Sequence, residues 1–201
     1  MRIKESDYLL KKMCNPIGGM NVVYDDINKI ITTDRLTLRL FDQSDAETVT
    51  NLCNNYNIYK HTLTLPYPYT IECAVSWIRH HQDNFIADKC YEFAVCDRQT
   101  GTLYGAIALT SQSRYDNGEI AYWIGENYWG KGYATEAARA LIDFAFHVKQ
   151  YHKVYARHFA SNPASGRVIH KVGMIQEGIL LDHVKKEGQY ESLVYYGILN
   201  D

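Results

Sequence analysis

The residues with the clearest capacity for chemistry lie in the run GENYWGKGYATEA, residues 125–137. Gly125, Gly130 and Lys131 have the G-x-x-x-x-G-K spacing of a nucleotide-binding P-loop, but the next residue is Gly132. A P-loop needs a Ser or Thr there to hold magnesium, and Gly132 offers no side chain. Its loop residues must also be slim enough for backbone amides to wrap phosphates, whereas Tyr128 and Trp129 are bulky. The G-x-G-x-x-G dinucleotide fingerprint is absent as well. Nucleotide hydrolysis is set aside.

Two glycines around a lysine also make an ordinary tight turn. Their position argues for more. They fall where the alternating stretch EIAYWIG hands over to a long amphipathic stretch, and the free amides and dipole of a helix start attract an anion. Two positions without side chains let a pyrophosphate approach the backbone, and Lys131 adds positive charge without a metal. A diphosphate ligand that does not react at phosphorus fits better than ATP, and coenzyme A is such a ligand.

The elements that must position this loop follow from periodicity. RLTLRLF (35–41) alternates and predicts a half-buried strand. Ser44 and Glu47 have capping-box spacing before a helix carrying Ala46, Val49, Cys53 and Tyr56. LPYPYT is a loop whose Thr70 can cap a second helix, with Ile71, Ala74, Val75, Ile78 and Phe85 on one side. CYEFAVCD and LYGAIALTS predict a hairpin around RQTG, and the Asn117-Gly118 turn introduces EIAYWIG, with Ile120, Tyr122 and Ile124 on one face. The strongest helix follows the glycines, with an apolar stripe from Tyr133 through Ala137, Ala140, Leu141, Phe144 and Val148. Glu136, Arg139 and Asp143 are expected to pair with one another on its other side. KVYARHFA (153–160) is a strand, Asn162 and Pro163 start a short helix that Gly173 ends, and two strands near 174–184 and 190–199 flank the turn KKEG. The predicted order is β-α-α-β-β-β-α-β-α-β-β, an α/β (α+β) domain with a mixed sheet over 32–201. Residues 1–31 read as an N-terminal extension, a strand or arm packed on the domain or on a neighbour, and Met20 is an alternative start.

Composition narrows the classes. The chain has 201 residues, 46% of them hydrophobic, enough for one domain with a real core. A formal net charge of −2 gives no electrostatic reason to bind nucleic acid or an anionic membrane. No apolar run approaches a membrane span, and no signal-peptide core is evident at the N-terminus. Cys14, Cys53, Cys73, Cys90 and Cys96 form no C-x-x-C pair, so reduced thiols and a cytoplasmic location are expected. His80, His81 and the other histidines show no ligand spacing with Cys, Asp or Glu, so no metal site is expected.

NYWGKGYATEA resembles the acyl-CoA pyrophosphate loop of the GNAT N-acetyltransferase superfamily, whose pattern is Q/R-x-x-G-x-G/A. Asn127 stands where that pattern has Gln or Arg. TDRLTLRLFDQSDAE resembles the family's opening strand and helix, LPYPYTIECAVSWI its substrate-side loop and second helix, and SNPASGRVIHKVGMIQEG its later Asn-x-x-Ser helix and strand. Together they cover about 32–199 and are similar to the ribosomal-protein N-terminal (RimJ/RimL-type) branch. The resemblance implies a sheet whose strands EIAYWIG and KVYARHFA splay apart, with acetyl-CoA wedged between them. Backbone groups near Trp123 and Ile124 would hold the pantetheine arm. The loop Asn127, Trp129, Gly130, Lys131, Gly132, Tyr133, Ala134 and Thr135 would receive the pyrophosphate.

The implied reaction is direct acetyl transfer to an amine, without a covalent enzyme intermediate. The amine attacks only when neutral, so a base must take its proton, and an acid helps the thiol leave. By resemblance Asn162 bonds the pantetheine amide and Ser165 lies near the sulfur as proton donor, although both are also ordinary helix-start residues. Glu119 is placed where related enzymes carry a base acting through water. His183 falls in the late strand bordering the acceptor site, and Tyr195 or Tyr196 is an alternative acid. LPYPYT with His61, and DHVKKEGQYES, border the amine's approach. The acceptor is a protein N-terminal amine by the branch resemblance, or a small amine such as a polyamine, amino acid or antibiotic. A non-catalytic acyl-CoA-binding regulator is the reading of a different class. A homodimer is expected from the branch.

Overall fold

The computed structural model describes residues 10–13 and 19–200. Ten strands form one sheet: β1 (Leu10–Met13), β2 (Val22–Asp25), β3 (Ile30–Thr32), β4 (Leu36–Leu40), β5 (Cys90–Asp97), β6 (Leu103–Gln112), β7 (Asn117–Ile124), β8 (Lys153–Phe159), β9 (Ile175–Lys186) and β10 (Gln189–Leu199). Their spatial order is β1-β2-β3-β4-β5-β6-β7-β8-β10-β9. Every pairing is antiparallel except that of β7 with β8. The helices are α1 (Ala46–Cys53), α2 (Tyr56–Tyr59), α3 (Ile71–Ile78), α4 (His81–Ile86), α5 (Tyr133–His147) and α6 (Pro163–Lys171). The mixed α/β sheet fold matches expectation, with three further strands before β4 and four helices instead of two between β4 and β5.

Each face of the sheet has its own core, because strand side chains alternate. Helix α5 lays Leu141 and Phe144 on Leu36 and Leu38 of β4, Tyr91 and Phe93 of β5, and Ile107 and Leu109 of β6. The hairpin β2–β3 extends this core with Val22, Tyr24 and Ile31. The opposite face packs Val49 and Cys53 of α1 and Ala74 and Ile78 of α3 on Ala94, Cys96, Leu103 and Ala106.

Several local expectations are corrected at element ends. Asp42, not Ser44, begins the first helical segment. Its carboxylate accepts from the Ser44 amide at 2.8 Å, and Asp45 accepts from the Asp42 amide at 2.8 Å, a reciprocal pair. Thr70 occupies the cap position of α3 without a side-chain bond to the backbone, and the predicted single helix over 71–85 breaks at His80. The β6–β7 turn lies at 113–116 with Asp116 left-handed, so Asn117-Gly118 is already inside the strand.

The largest correction concerns α5. Glu136 is not paired with Arg139 on a solvated face. It is buried, and accepts from Thr33 Oγ1 at 2.6 Å and from Arg35 Nε at 2.6 Å. Arg139 instead donates to the Lys171 carbonyl at 2.9 Å, and Asp143 is buried.

Candidate active site

Strands β7 and β8 are hydrogen-bonded neighbours only from Asn117–Lys153 to Ile120–Ala156. Beyond that, β7 stays paired with β6 as far as Ile124, while β8 stays paired with β10 as far as Phe159. Each strand follows its own outer neighbour, and a fork opens between them. The Gly125 amide donates back to Tyr104 of β6 at 2.8 Å. By the alternation of an antiparallel ladder, Trp123 also turns its backbone toward β6, while Tyr122 and Ile124 turn theirs into the fork. The Ile124 carbonyl is already taken by the Trp129 indole N–H at 2.5 Å.

At the wide end of the fork lies the glycine loop. Gly130 and Gly132 have φ of +75° and +84°, a conformation that disfavours any Cβ. Gly132 is the residue before α5 and supplies no capping side chain. The first intrahelical bond runs from the Glu136 amide to the Gly132 carbonyl, so the amides of Tyr133, Ala134 and Thr135 have no helical acceptor. The two bulky residues fold out of the way. Tyr128 packs on Tyr104, which stacks on Tyr133, both at 4.4 Å between ring centroids, and Trp129 serves Ile124. Arg35 braces the loop by donating to the Lys131 carbonyl at 3.0 Å while bound to Glu136. Asn127, Lys131 and Gly132 remain exposed. Beside them a surface depression is bordered by the cations Arg35, Arg139 and Lys171 and by the acids Asp34 and Glu136, the latter bound to Arg35. These three cations escaped the sequence reading because they come from separate elements.

The proposed catalytic residues fall into two groups and two outliers. On the α5–α6 side, the Asn162 side chain accepts from the Ser165 amide at 3.2 Å, which leaves its NH₂ as a donor. Ser165 Oγ lies 2.9 Å from the hydroxyl of Tyr122, whose pKa burial pushes up to about 12. Tyr122 was legible only as an inward-facing strand residue. On the opposite side, Arg157 Nε donates to Glu119 at 2.7 Å and Arg157 Nη1 donates to the Tyr195 hydroxyl at 3.1 Å. Glu119 and Tyr195 are therefore brought together by an arginine that the sequence did not single out. Tyr196 donates to Gln176 at 3.3 Å instead. His183 is exposed on β9, which among the described strands pairs with β10 alone, and joins neither group.

Where the acceptor would approach, α2 and its loop dock on the β9–β10 tip. Asn55 and Asn57 hold the Glu126 carboxylate at 2.6 and 2.9 Å, keeping its pKa below the usual range. Tyr56 donates to Glu187 at 2.9 Å. Among the described residues no group of three or more His, Cys, Asp or Glu side chains is arranged to hold a metal ion. No helix there is long and apolar enough to cross a membrane. Cys53, Cys73, Cys90 and Cys96 are free thiols, and Cys14 lies outside the described residues.

A parallel fork ending at a helix start with open amides defines an acyl-CoA-type acyltransferase fold. The comparisons agree. The acetyltransferase (GNAT) domain family matches residues 35–175, and the chain belongs to that family. The uncharacterized N-acetyltransferase YnaD of Bacillus subtilis is 30% identical over 172 residues, covering 85% of this chain and 97% of that protein. A spermidine N(1)-acetyltransferase of Vibrio cholerae is 28% identical over 160 residues, covering 79% and 90%. The structure of ribosomal-protein-S5-alanine acetyltransferase from Vibrio fischeri superposes with a TM-score of 0.76 at 20% identity, covering 86% and 97%, a likeness of fold. The protein is an N-acetyltransferase of the acyltransferase class.

Proposed function

We propose that this enzyme moves the acetyl group of acetyl-CoA directly to the α-amine of a protein N-terminus. The observation that carries the cofactor half is the fork, with α5 presenting uncapped amides behind two left-handed glycines. The chain's residues divide the work. The amides of Tyr133, Ala134 and Thr135, with Lys131, bind the pyrophosphate, and the backbone of Tyr122 with the amide of Ile124 orients the pantetheine arm. When bound, acetyl-CoA supplies an activated thioester. Ser165, held by Tyr122 and by the Asn162 cap, stands on the side of the fork where a proton is given to the departing sulfur.

The acceptor half rests on openness. The depression beside Tyr195 is shallow, with Glu177, Gly178 and Leu180 at its border, and it gives a peptide room to continue past its first residue. A polyamine acceptor is the second reading, favoured by the likeness to the Vibrio cholerae spermidine enzyme and by Glu126 and Glu187 on the acceptor side. A homodimer would have the open edge of β9, with Ile175, Ile179 and Leu181 exposed, and light scattering reads that state. Of the N-terminal extension, the described residues 10–13 and 19–31 act as an integral edge of the 32–201 domain on this reading.

Calorimetry with acetyl-CoA, comparing wild type and Gly132→Glu, tests the cofactor site. Binding by wild type and loss in the folded variant support it, and equal binding sinks it. Release of free thiol with N-terminal peptides, against spermidine and against no amine, then ranks the acceptors. Turnover with none of them while acetyl-CoA still binds would favour a non-catalytic sensor.

A further inference from the structure

The acceptor face of the sheet carries rows of directly paired residues across β5, β6 and β7. In one row Glu92 stands opposite Ala108, and Ala108 opposite Ala121. The flanking rows are Ala94, Ala106 and Trp123 on one side, and Cys90, Thr110 and Glu119 on the other. The middle row thus has a carboxyl at one end and only methyl groups toward the other. Its last member, Ala121, is exposed and comes directly after Ile120, the last β7 residue that β8 pairs. Neighbouring strands are about 4.8 Å apart, so the Glu92 and Ala121 backbones are separated by roughly 10 Å. A glutamate side chain and one or two waters span that distance. Trp77 and Trp123, with ring centroids 6.3 Å apart, border the slot.

Of the two acids on these rows, Glu92 and Glu119, Glu92 is the one not matched to a cation. Its side chain is 15% exposed, and its Oε2 lies 3.3 Å from His81 Nε2 with neither atom aligned for a hydrogen bond. His81 is wedged against Trp77 and Phe41, at 4.5 and 5.3 Å between centroids. Burial pushes its pKa down to about 4, so near neutral pH it is an uncharged neighbour and not an ion-pair partner. Burial also raises the Glu92 carboxyl, against contacts from Asn84 and Trp77 that lower it. Glu119, in contrast, is committed to Arg157 at 2.7 Å.

We propose that Glu92 receives the proton lost by the acceptor ammonium, through water in the alanine-floored slot, while Glu119 positions Arg157 and Tyr195. The inference rests on the acetyltransferase reading. One N–H bond of the ammonium breaks, its proton passes through water to the carboxylate, and the freed nitrogen lone pair forms the C–N bond to the acetyl carbon. The C–S electrons leave with sulfur, which takes up the amine's second proton on the Ser165 side, and Glu92 returns its proton to solvent. The titratable groups facing Glu92 are His81, with His80 behind it, and Cys90 of its own strand. On adjoining rows stand Arg39, bound to Asp45, and Glu119, bound to Arg157.

The test is amine-dependent turnover of wild type, Glu92→Gln and Glu119→Gln from about pH 6 to about pH 10, bracketing amine ionisation. Acetyl-CoA affinity of each is measured by calorimetry. Glu92→Gln is expected to lower kcat/KM for the amine about 100-fold near pH 7, the scale of a lost general base. The deficit shrinks as pH approaches the amine's own pKa, and acetyl-CoA affinity is unchanged. Glu119→Gln is expected to show no such pH-dependent recovery. Activity of Glu92→Gln near wild type, or a loss equal at every pH, overturns the assignment. If Glu92→Gln fails to fold, Ala121→Leu fills the exposed end of the slot and must show the same pH-dependent deficit, or the proposal falls. A wild type that binds acetyl-CoA yet acetylates no amine removes the acetyltransferase reading itself.

Discussion

The Tyr122 hydroxyl lies 2.9 Å from Ser165 Oγ and 3.1 Å from the Ser165 carbonyl, joining β7 to α6 across the fork. With its pKa raised to about 12, Tyr122 stays protonated through the working pH range and acts as donor to one of the two oxygens. Ser165→Ala is expected to lower kcat by about 10²-fold, the scale for a lost proton donor, with little change in acetyl-CoA affinity. Tyr122→Phe should do less alone. The double variant should be no worse than Ser165→Ala, because residues that act as a unit are not additive. Steady-state kinetics of the four proteins checks this, and independent, additive losses would separate the two hydroxyls.

Arg35 joins the start of β4 to both the glycine loop and α5. Its guanidinium binds Glu136, which is only 8% exposed, and the Lys131 carbonyl. Removing the Glu136 carboxylate leaves Arg35 half exposed to solvent but takes the acceptor from the buried Thr33 hydroxyl and from the Arg35 amide. Glu136→Ala is therefore expected to lower unfolding free energy by about 1–3 kcal/mol. It should also weaken acetyl-CoA binding, because Arg35 loses the anchor from which it holds the loop. Urea denaturation and calorimetry on the same preparation read both effects, and a stable variant with unchanged affinity would refute the link.

Much of this architecture was legible in the sequence, and the part that was not has a common cause. Strand alternation in EIAYWIG, the stripe of α5, the Asn162 cap and the GKG turn are local patterns, and each survives folding. Glu136 misled because its i,i+3 neighbour Arg139 looked sufficient, whereas its real partners, Thr33 and Arg35, lie 103 and 101 residues away. Arg157 could not be singled out for the same reason. Its bond to Glu119 exists only because β7 and β8 are parallel neighbours. Glu92 reads as an ordinary outward strand residue until α4 covers it.

The N-terminal segment offers a stability test. Tyr24 packs edge-on against Phe144 at 5.0 Å between centroids, and Met20, Val22, Tyr24 and Ile31 are all buried. Burial of such side chains is worth about 1.5–3 kcal/mol each. Their sum is comparable with the whole ~5–15 kcal/mol that holds a domain folded. A chain beginning at Met20 is expected to fold and keep acetyl-CoA binding, while one beginning at Thr32 should not yield a cooperative melt. Circular dichroism on the two truncations decides, and a well-folded protein from Thr32 would make the hairpin dispensable.

Stability should also fall in acid through His81. Its folded pKa of about 4 lies below the ordinary value of 6.5, so the unfolded chain binds the proton first. The stability from neutral His81 is intact above about pH 6.5 and is lost progressively down to about pH 4. The full loss is on the order of 3 kcal/mol. The raised Glu92 carboxyl acts in the opposite sense, since there the folded state takes the proton first. His81→Phe isolates the histidine: over this window its unfolding free energy should hold steady or rise, while that of wild type falls. Parallel slopes by urea denaturation would show that His81 is not the group responsible.

The β9–β10 tip fastens the acceptor-side loop through one lysine. Lys186 Nζ sits 3.6 Å from the Tyr59 ring centroid and donates to the Thr62 carbonyl at 2.8 Å, while Glu187 holds Tyr56. A cation against an aromatic face contributes about 0.5–2 kcal/mol, enough to change a loop's closed population several-fold without unfolding the domain. Lys186→Ala is expected to speed amide exchange over residues 55–70 and to raise the amine KM several-fold, leaving the acetyl-CoA KM unchanged. Lys186→Arg should restore most of both, since guanidinium also stacks on tyrosine. Unaltered exchange in Lys186→Ala would mean that the loop is held by the Tyr56–Glu187 bond and its own tyrosine contacts, Tyr59 on Tyr67 at 5.2 Å foremost, and not by Lys186.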